Sequence, residues 1–157
     1  MDDITLARAL HVLAVVHWIG GVAMVTLVLL PALSSLAEPA RRLAMFEAIE
    51  GRFGAQARWS VAVAGLTGFW MTWRLDAWAR YVEPRSWWML AMLLLWAVFA
   101  VILYVAEPLF LHAWVRRQAQ RDPLGTMAKV LAAHRVLLAV AAVTVAAAVM
   151  GAHGMLY

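Results

Sequence analysis

The sequence predicts an all-α integral membrane protein, an antiparallel four-helix bundle with both termini on the outer (periplasmic) side. Three observations predict it. Of the 157 residues 66% are apolar and only 14% are charged, whereas a soluble domain holds about 45–50% apolar and about 25% charged residues. The apolar residues gather in runs long enough to cross a bilayer, and the mean hydropathy is +0.80. No run alternates as a barrel strand would, and backbone groups in lipid must be satisfied within their own segment, which leaves helices.

The chain has room for one transmembrane domain, 1–157. Its first apolar run, 10–31, predicts a helix over about 9–32. The "LSSLAEPA" that follows resembles a small-residue cleavage site. Asp2 and Asp3 precede the run, however, and it exceeds the roughly 7–15 residues of a signal core, so a retained span is expected. Next, "LAEPARRLAMFEAIEGRF" places Leu43, Phe46, Ile49 and Phe53 at helical spacing and predicts an interfacial amphipathic helix over about 38–53. The second apolar run, 59–73, is 15 residues long, short of the roughly 20 that span the hydrocarbon core. Arg58 and Arg74 bracket it and can snorkel to the headgroups, extending the helix to about 57–79. Within it "AGLTGF" supplies small residues for close helix contact. The third and fourth runs, 86–106 and 136–157, predict helices over about 86–115 and 129–156.

Charge sets the expected orientation. Arg41, Arg42, Arg52 and Arg58 fall between helices 1 and 2, and Arg116, Arg117, Arg121, Lys129 and Arg135 between helices 3 and 4. These nine outnumber the four on the other side, so the loops that hold them face inward. This topology accounts for the sequence pI of 10.3 without a nucleic-acid partner. Trp73, Trp78, Tyr81, Trp87 and Trp88 form the aromatic belt expected at the outer headgroups.

Cysteine is absent, which removes disulfides, thiolate metal sites, iron–sulfur clusters and covalent haem attachment. A cofactor would be held by His, Met, carboxylate or backbone. "LHVLAVVHWIGG", residues 10–21, carries the candidates. Ionisable residues inside a span are costly enough to read as functional, and neutral imidazole is the commonest metal ligand. His11 and His17 are separated by about 240° around the helix. His17 shares its face with Gly20, Gly21 and Met24, and His11 shares its face with Ala14, Val15 and Trp18. The end of helix 4, "VMGAHGMLY", brings Met150, His153 and Met155 to the level of His11, and Met71, Met89 and Met92 fall in the same half. That set suits a haem pocket with His or Met axial ligands, or a Cu(I) path of thioethers and imidazoles. The plainer reading is that the methionines fill gaps in the core and the histidines reach water or a carbonyl.

The inner boundary holds a second polar group. Glu107 and Arg135 suggest an ion pair between helices 3 and 4, while His112, His134 and Arg58 extend it into a proton relay or an anion site.

His11, Trp18, Gly20 and Gly21 followed by an apolar run to Pro31, together with "RWSVAVAGLTGFW", resemble the first two helices of small bacterial membrane proteins: the HemJ-type protoporphyrinogen oxidases and the related CopD copper-resistance proteins. The resemblance covers about the first half of the chain. It implies a multi-pass protein of the bacterial inner (cytoplasmic) membrane and gives His11 the role of a haem ligand. The sequence departs from the HemJ pattern at the start of helix 3, where "PRSWWML" offers Arg85 instead of a lysine. It departs again on helix 4, where His134 and Arg135 stand in the region of an expected asparagine.

The expected function is therefore that of a haem b protein in electron transfer or in oxidation of a membrane-soluble substrate, with His11 or His17 as one ligand and His153 as partner. Copper binding or transport is the second reading, and a cofactor-free accessory subunit the third. The expected partners are the bilayer and, for a redox role, a quinone, a porphyrin or a redox protein; a homo-oligomer is compatible with all three.

Overall fold

The computed structural model describes residues 2–34 and 38–156 and is helical throughout apart from short connections, with no strand among them. Helix α1 runs as one rod through Asp2–Met24, a π-helical stretch Val25–Leu29, and Leu30–Ser34. Helix α2 spans Pro39–Arg74. Two short 3-10 turns, Trp78–Tyr81 and Pro84–Ser86, lead into α3, which comprises Trp87–Val101, a π-helical stretch Ile102–Leu111, and His112–Arg121. Helix α4 spans Pro123–Ala152.

The boundaries follow from local chemistry. Pro39 and Pro123 sit in the first turns of α2 and α4, where a missing N–H costs no hydrogen bond. Asp122 caps α4 by accepting from Gly125 N at 2.9 Å. Asp76 ends the α2 turn with a φ of 47°, and Ala77 N bonds back to the carbonyl of Thr72.

Antiparallel register is fixed along α1 and α2. Asp3 pairs with Arg74 at 2.7 Å, His11 meets Thr67, His17 meets Ser60, and Gly21 receives the ring of Phe53. The start of α1, the end of α2, the start of α3 and the end of α4 share one end of the bundle, called here the terminal end. The end of α1, the start of α2 and the 121–123 connection lie at the opposite, loop end.

Three helical rods, Asp2–Leu33, Pro84–Arg121 and Pro123–Ala152, are long and apolar enough to cross a membrane. Helix α2 is not among them, in keeping with its 15-residue apolar run. Large apolar side chains are widely exposed on the outside, including Leu13, Leu27, Leu66 and Val143. That surface suits acyl chains and would be a liability in water.

The separate interfacial helix expected over 38–53 is absent, because the segment runs without a break into α2. Phe46 is buried against Val25, Leu30 and Leu33, and Phe53 packs on α1. The apolar face thus covers the end of α1 and part of α4 instead of lying on lipid. Leu43's side chain lies outside the described residues.

Glycines seat large rings between the rods. A Cβ at Gly21 would run into the Phe53 ring, one at Gly65 would lie 2.6 Å from Trp96, and one at Gly151 would run into the Trp88 indole. Trp96 lies over Gly65 and donates its indole N–H to the carbonyl of Val61 at 2.9 Å.

Candidate functional site

Two cavities occupy the bundle, one toward each end, and Trp18 lines both. This tryptophan is 3% exposed and meets Phe99 edge-on at 4.8 Å between centroids. It stands between them as a partition.

The terminal-end cavity measures 510 Å³. His11 stands on its wall with Met71, Met89 and Met92. The His11 Nδ1 lies 2.9 Å from the carbonyl oxygen of Ala64 and 3.1 Å from the hydroxyl of Thr67. A carbonyl can only accept, so Nδ1 carries the proton and Nε2 keeps its lone pair. Thr67 in turn donates to the carbonyl of Val63 at 2.6 Å. Gly68 leaves the space that the imidazole fills, since a Cβ there would come within 3.3 Å of it. An imidazole fixed through Nδ1 by a backbone carbonyl is the arrangement that presents Nε2 to a metal.

The other terminal-end candidates fall elsewhere. His153 follows the last turn of α4, is exposed, bonds through Nδ1 to the carbonyl of Val149 at 2.8 Å and is not on the cavity wall. Met150 is also outside the wall. The expected His11–His153 pair is thus not assembled, because α4 carries Thr144, Val145, Ala148 and Val149 to the cavity and turns His153 away. His17 is exposed, shares a hydrogen bond between its Nδ1 and the Ser60 hydroxyl at 2.8 Å and lines neither cavity. The two histidines straddle α2, consistent with their angular separation on α1. Gly20 has open space beside it, whereas the room beside Gly21 is taken by Phe53. Gly21 therefore leaves no slot for a flat ring, and the space beside Gly20 opens on the exposed side of α1.

The loop-end cavity measures 480 Å³ and has Glu47, Glu50, Glu107, His112, Lys129 and His134 among its polar lining. The partner of Glu107 is not Arg135, which is exposed, but Arg58, at 3.2 Å. Glu107 is 8% exposed, and His112 Nε2 lies 3.9 Å from the same carboxylate oxygen.

Pro108 explains the substitution. In the i→i+5 register of a π-helix the carbonyl of Leu103 is due the N–H of residue 108, which proline lacks. Arg58 Nε supplies the donor instead, at 3.0 Å from that carbonyl, and Tyr104 returns a hydroxyl to the Arg58 carbonyl at 2.5 Å. Gly54 gives the carboxylate its room, because a Cβ there would lie 3.0 Å from Glu107 Oε1. Arg58 therefore joins α2 to α3.

Sequence reasoning missed Glu47 and Glu50. Their signal was the pair of acids three residues apart on the same segment as Phe46 and Phe53, which was read as a membrane-surface helix. No cluster of three or more His, Asp or Glu side chains placed to hold a metal ion occurs among the described residues. Compared with protein families, with characterised proteins and with solved structures, the chain gives no match.

Proposed function

We propose that the protein is a four-pass membrane protein whose terminal-end cavity binds haem b through Nε2 of His11, in the manner its resemblance to the HemJ and CopD proteins implies. The observation that carries the reading is the imidazole itself. His11 sits in an apolar cavity, its Nδ1–H held by Ala64 and Thr67, its Nε2 left basic. The cavity falls within the roughly 300–1,000 Å³ usual for cofactor sites. With a single histidine on the wall, Met71, Met89 and Met92 are the other side chains that would help hold the group.

Bound haem would supply one-electron exchange with a redox partner or a membrane-soluble substrate. The chain's own part is to orient the imidazole, exclude water with Trp18 and Trp96, and keep the site in a low dielectric. Copper is the second reading, favoured by the same three thioethers beside one imidazole.

The test is the visible spectrum and metal content of the full-length protein purified in detergent from haem-replete cells. A Soret band lost in His11→Ala and kept in His17→Ala and His153→Ala is expected. Copper without a Soret band selects the second reading. A wild-type spectrum in His11→Ala overturns the assignment of His11.

A further inference from the structure

The loop-end cavity is chemically unlike its neighbour, and the haem reading makes no use of it. Its apolar wall is aromatic: Trp18 forms the partition, Phe46, Phe53 and Phe99 line the interior, and half-exposed Trp114 stands at the edge. Charge on the wall is unbalanced. Glu47 is matched by Arg116 at 2.7 Å and Glu107 by Arg58 at 3.2 Å. Glu50 has no ion pair or hydrogen bond among the described residues, and its burial, opposed by His112 and reinforced by Glu107 and Glu47, pushes its carboxyl up to about 7. Lys129 also reaches the lining and is solvent-exposed.

A buried carboxyl with no ion pair, set among aromatic side chains, ionises more readily when a cation sits beside it, so the site favours positive charge, and the form of that charge is constrained. A metal ion would need a cluster of ligating side chains, and none is formed among the described residues. A diffuse organic cation needs only ring faces and a counter-charge, and ring quadrupoles attract it most when water is excluded. The π-helical stretch of α3 contributes Ile102, Leu103, Ala106 and Leu111 to the same wall, which gives an apolar body somewhere to lie.

We infer that the loop-end cavity binds a lipophilic organic cation, its charge set against Glu50 and its body against Phe46, Phe53 and Trp114.

The experiment uses full-length protein in nanodiscs of zwitterionic lipid and radiolabelled tetraphenylphosphonium as the probe. Tetraphenylborate, of nearly the same shape and opposite charge, is the competitor. Saturable binding is expected that tetraphenylborate does not displace. It should weaken about tenfold or more in Glu50→Gln, stay within about threefold in Glu50→Asp, and weaken about threefold or more in Trp114→Ala. His11→Ala should bind the probe as wild type does, so failure of the haem assignment leaves this result untouched. Absence of saturable binding, displacement by tetraphenylborate at equal concentration, or wild-type affinity in Glu50→Gln overturns the inference. Should Glu50→Gln fail to fold, wild-type affinity in Trp114→Ala overturns it instead, because that edge residue can be removed without opening the core.

Discussion

Gly20 and Gly21 are adjacent in the chain and opposite in circumstance. Gly20→Ala adds a methyl where nothing lies within 4 Å, so it should be neutral or raise stability by up to about 1 kcal/mol through helix propensity. Gly21→Ala drives a Cβ into the Phe53 ring and should cost about 1–3 kcal/mol, as overpacked cores do. Phe53→Leu in the same chain should return part of that loss, and thermal melts of the three variants in detergent check both statements. Arg58 is the other residue on which much depends. Arg58→Ala leaves Glu107 buried without its counter-charge and the Leu103 carbonyl without a donor. The loss should be about 3 kcal/mol, the low end for a broken buried pair, because the guanidinium is itself 37% exposed. Glu107→Gln should cost less, since the amide oxygen still accepts from Arg58. The sequence offered these residues as candidates and not their pairing. Arg58 and Arg135 are equally charged, and only the carbonyl freed by Pro108 tells them apart.

At the scale of the helix, α3 is shaped by that proline. If Arg58 is the donor that Pro108 removed, the two residues are coupled although they lie on different rods. The cost of Arg58→Ala should then fall by about 1 kcal/mol or more in a Pro108→Ala background, where residue 108 has its own N–H to offer. Additive losses in a double-mutant cycle would separate the two residues. Helix α2 shows where a one-dimensional pattern misleads. Leu43, Phe46, Ile49 and Phe53 repeat as the apolar face of a surface helix does, and a core-facing turn of a long helix repeats in the same way. Periodicity reports that a face is buried, not whether lipid or protein buries it. The arginines at 41, 42, 52 and 58 do not interrupt the helix, because side chains long enough to snorkel need no break in the backbone. The three most apolar rods were legible because length and hydropathy suffice for them.

For the molecule as a whole, orientation is the outstanding physical claim. Nine of the thirteen cations lie within residues 41–58 and 116–135, toward the loop end, and the positive-inside rule would put that end on the cytoplasmic side. A periplasm-dependent reporter fused after Tyr157 should be active and a cytoplasm-dependent one silent, with the reverse for fusions near Arg121. The opposite pattern would invert which cavity faces which compartment. The candidate site was partly visible in the sequence. Depth placed His11 with Met71, Met89 and Met92, as the cavity wall does. Depth alone also enrolled His153 and Met150, whose direction on α4 takes them off that wall. Level along a helix is read from residue number, but azimuth depends on how each rod is rotated against three neighbours, and no single segment encodes that.

Trp18 divides the two cavities, and the division can be restated as insulation. A chamber bearing three carboxyl groups lies on one side of an indole, and a largely apolar chamber with Arg80 on its wall lies on the other, so Trp18 is the residue that the two walls share. Trp18→Ala would merge the chambers into one passage that water can wet. Proteoliposomes carrying that variant should dissipate an imposed pH gradient faster than those carrying wild type, while Phe99→Leu, which keeps the indole in place, should hold the gradient. Equal leak rates for Trp18→Ala and wild type would locate the seal elsewhere in the bundle.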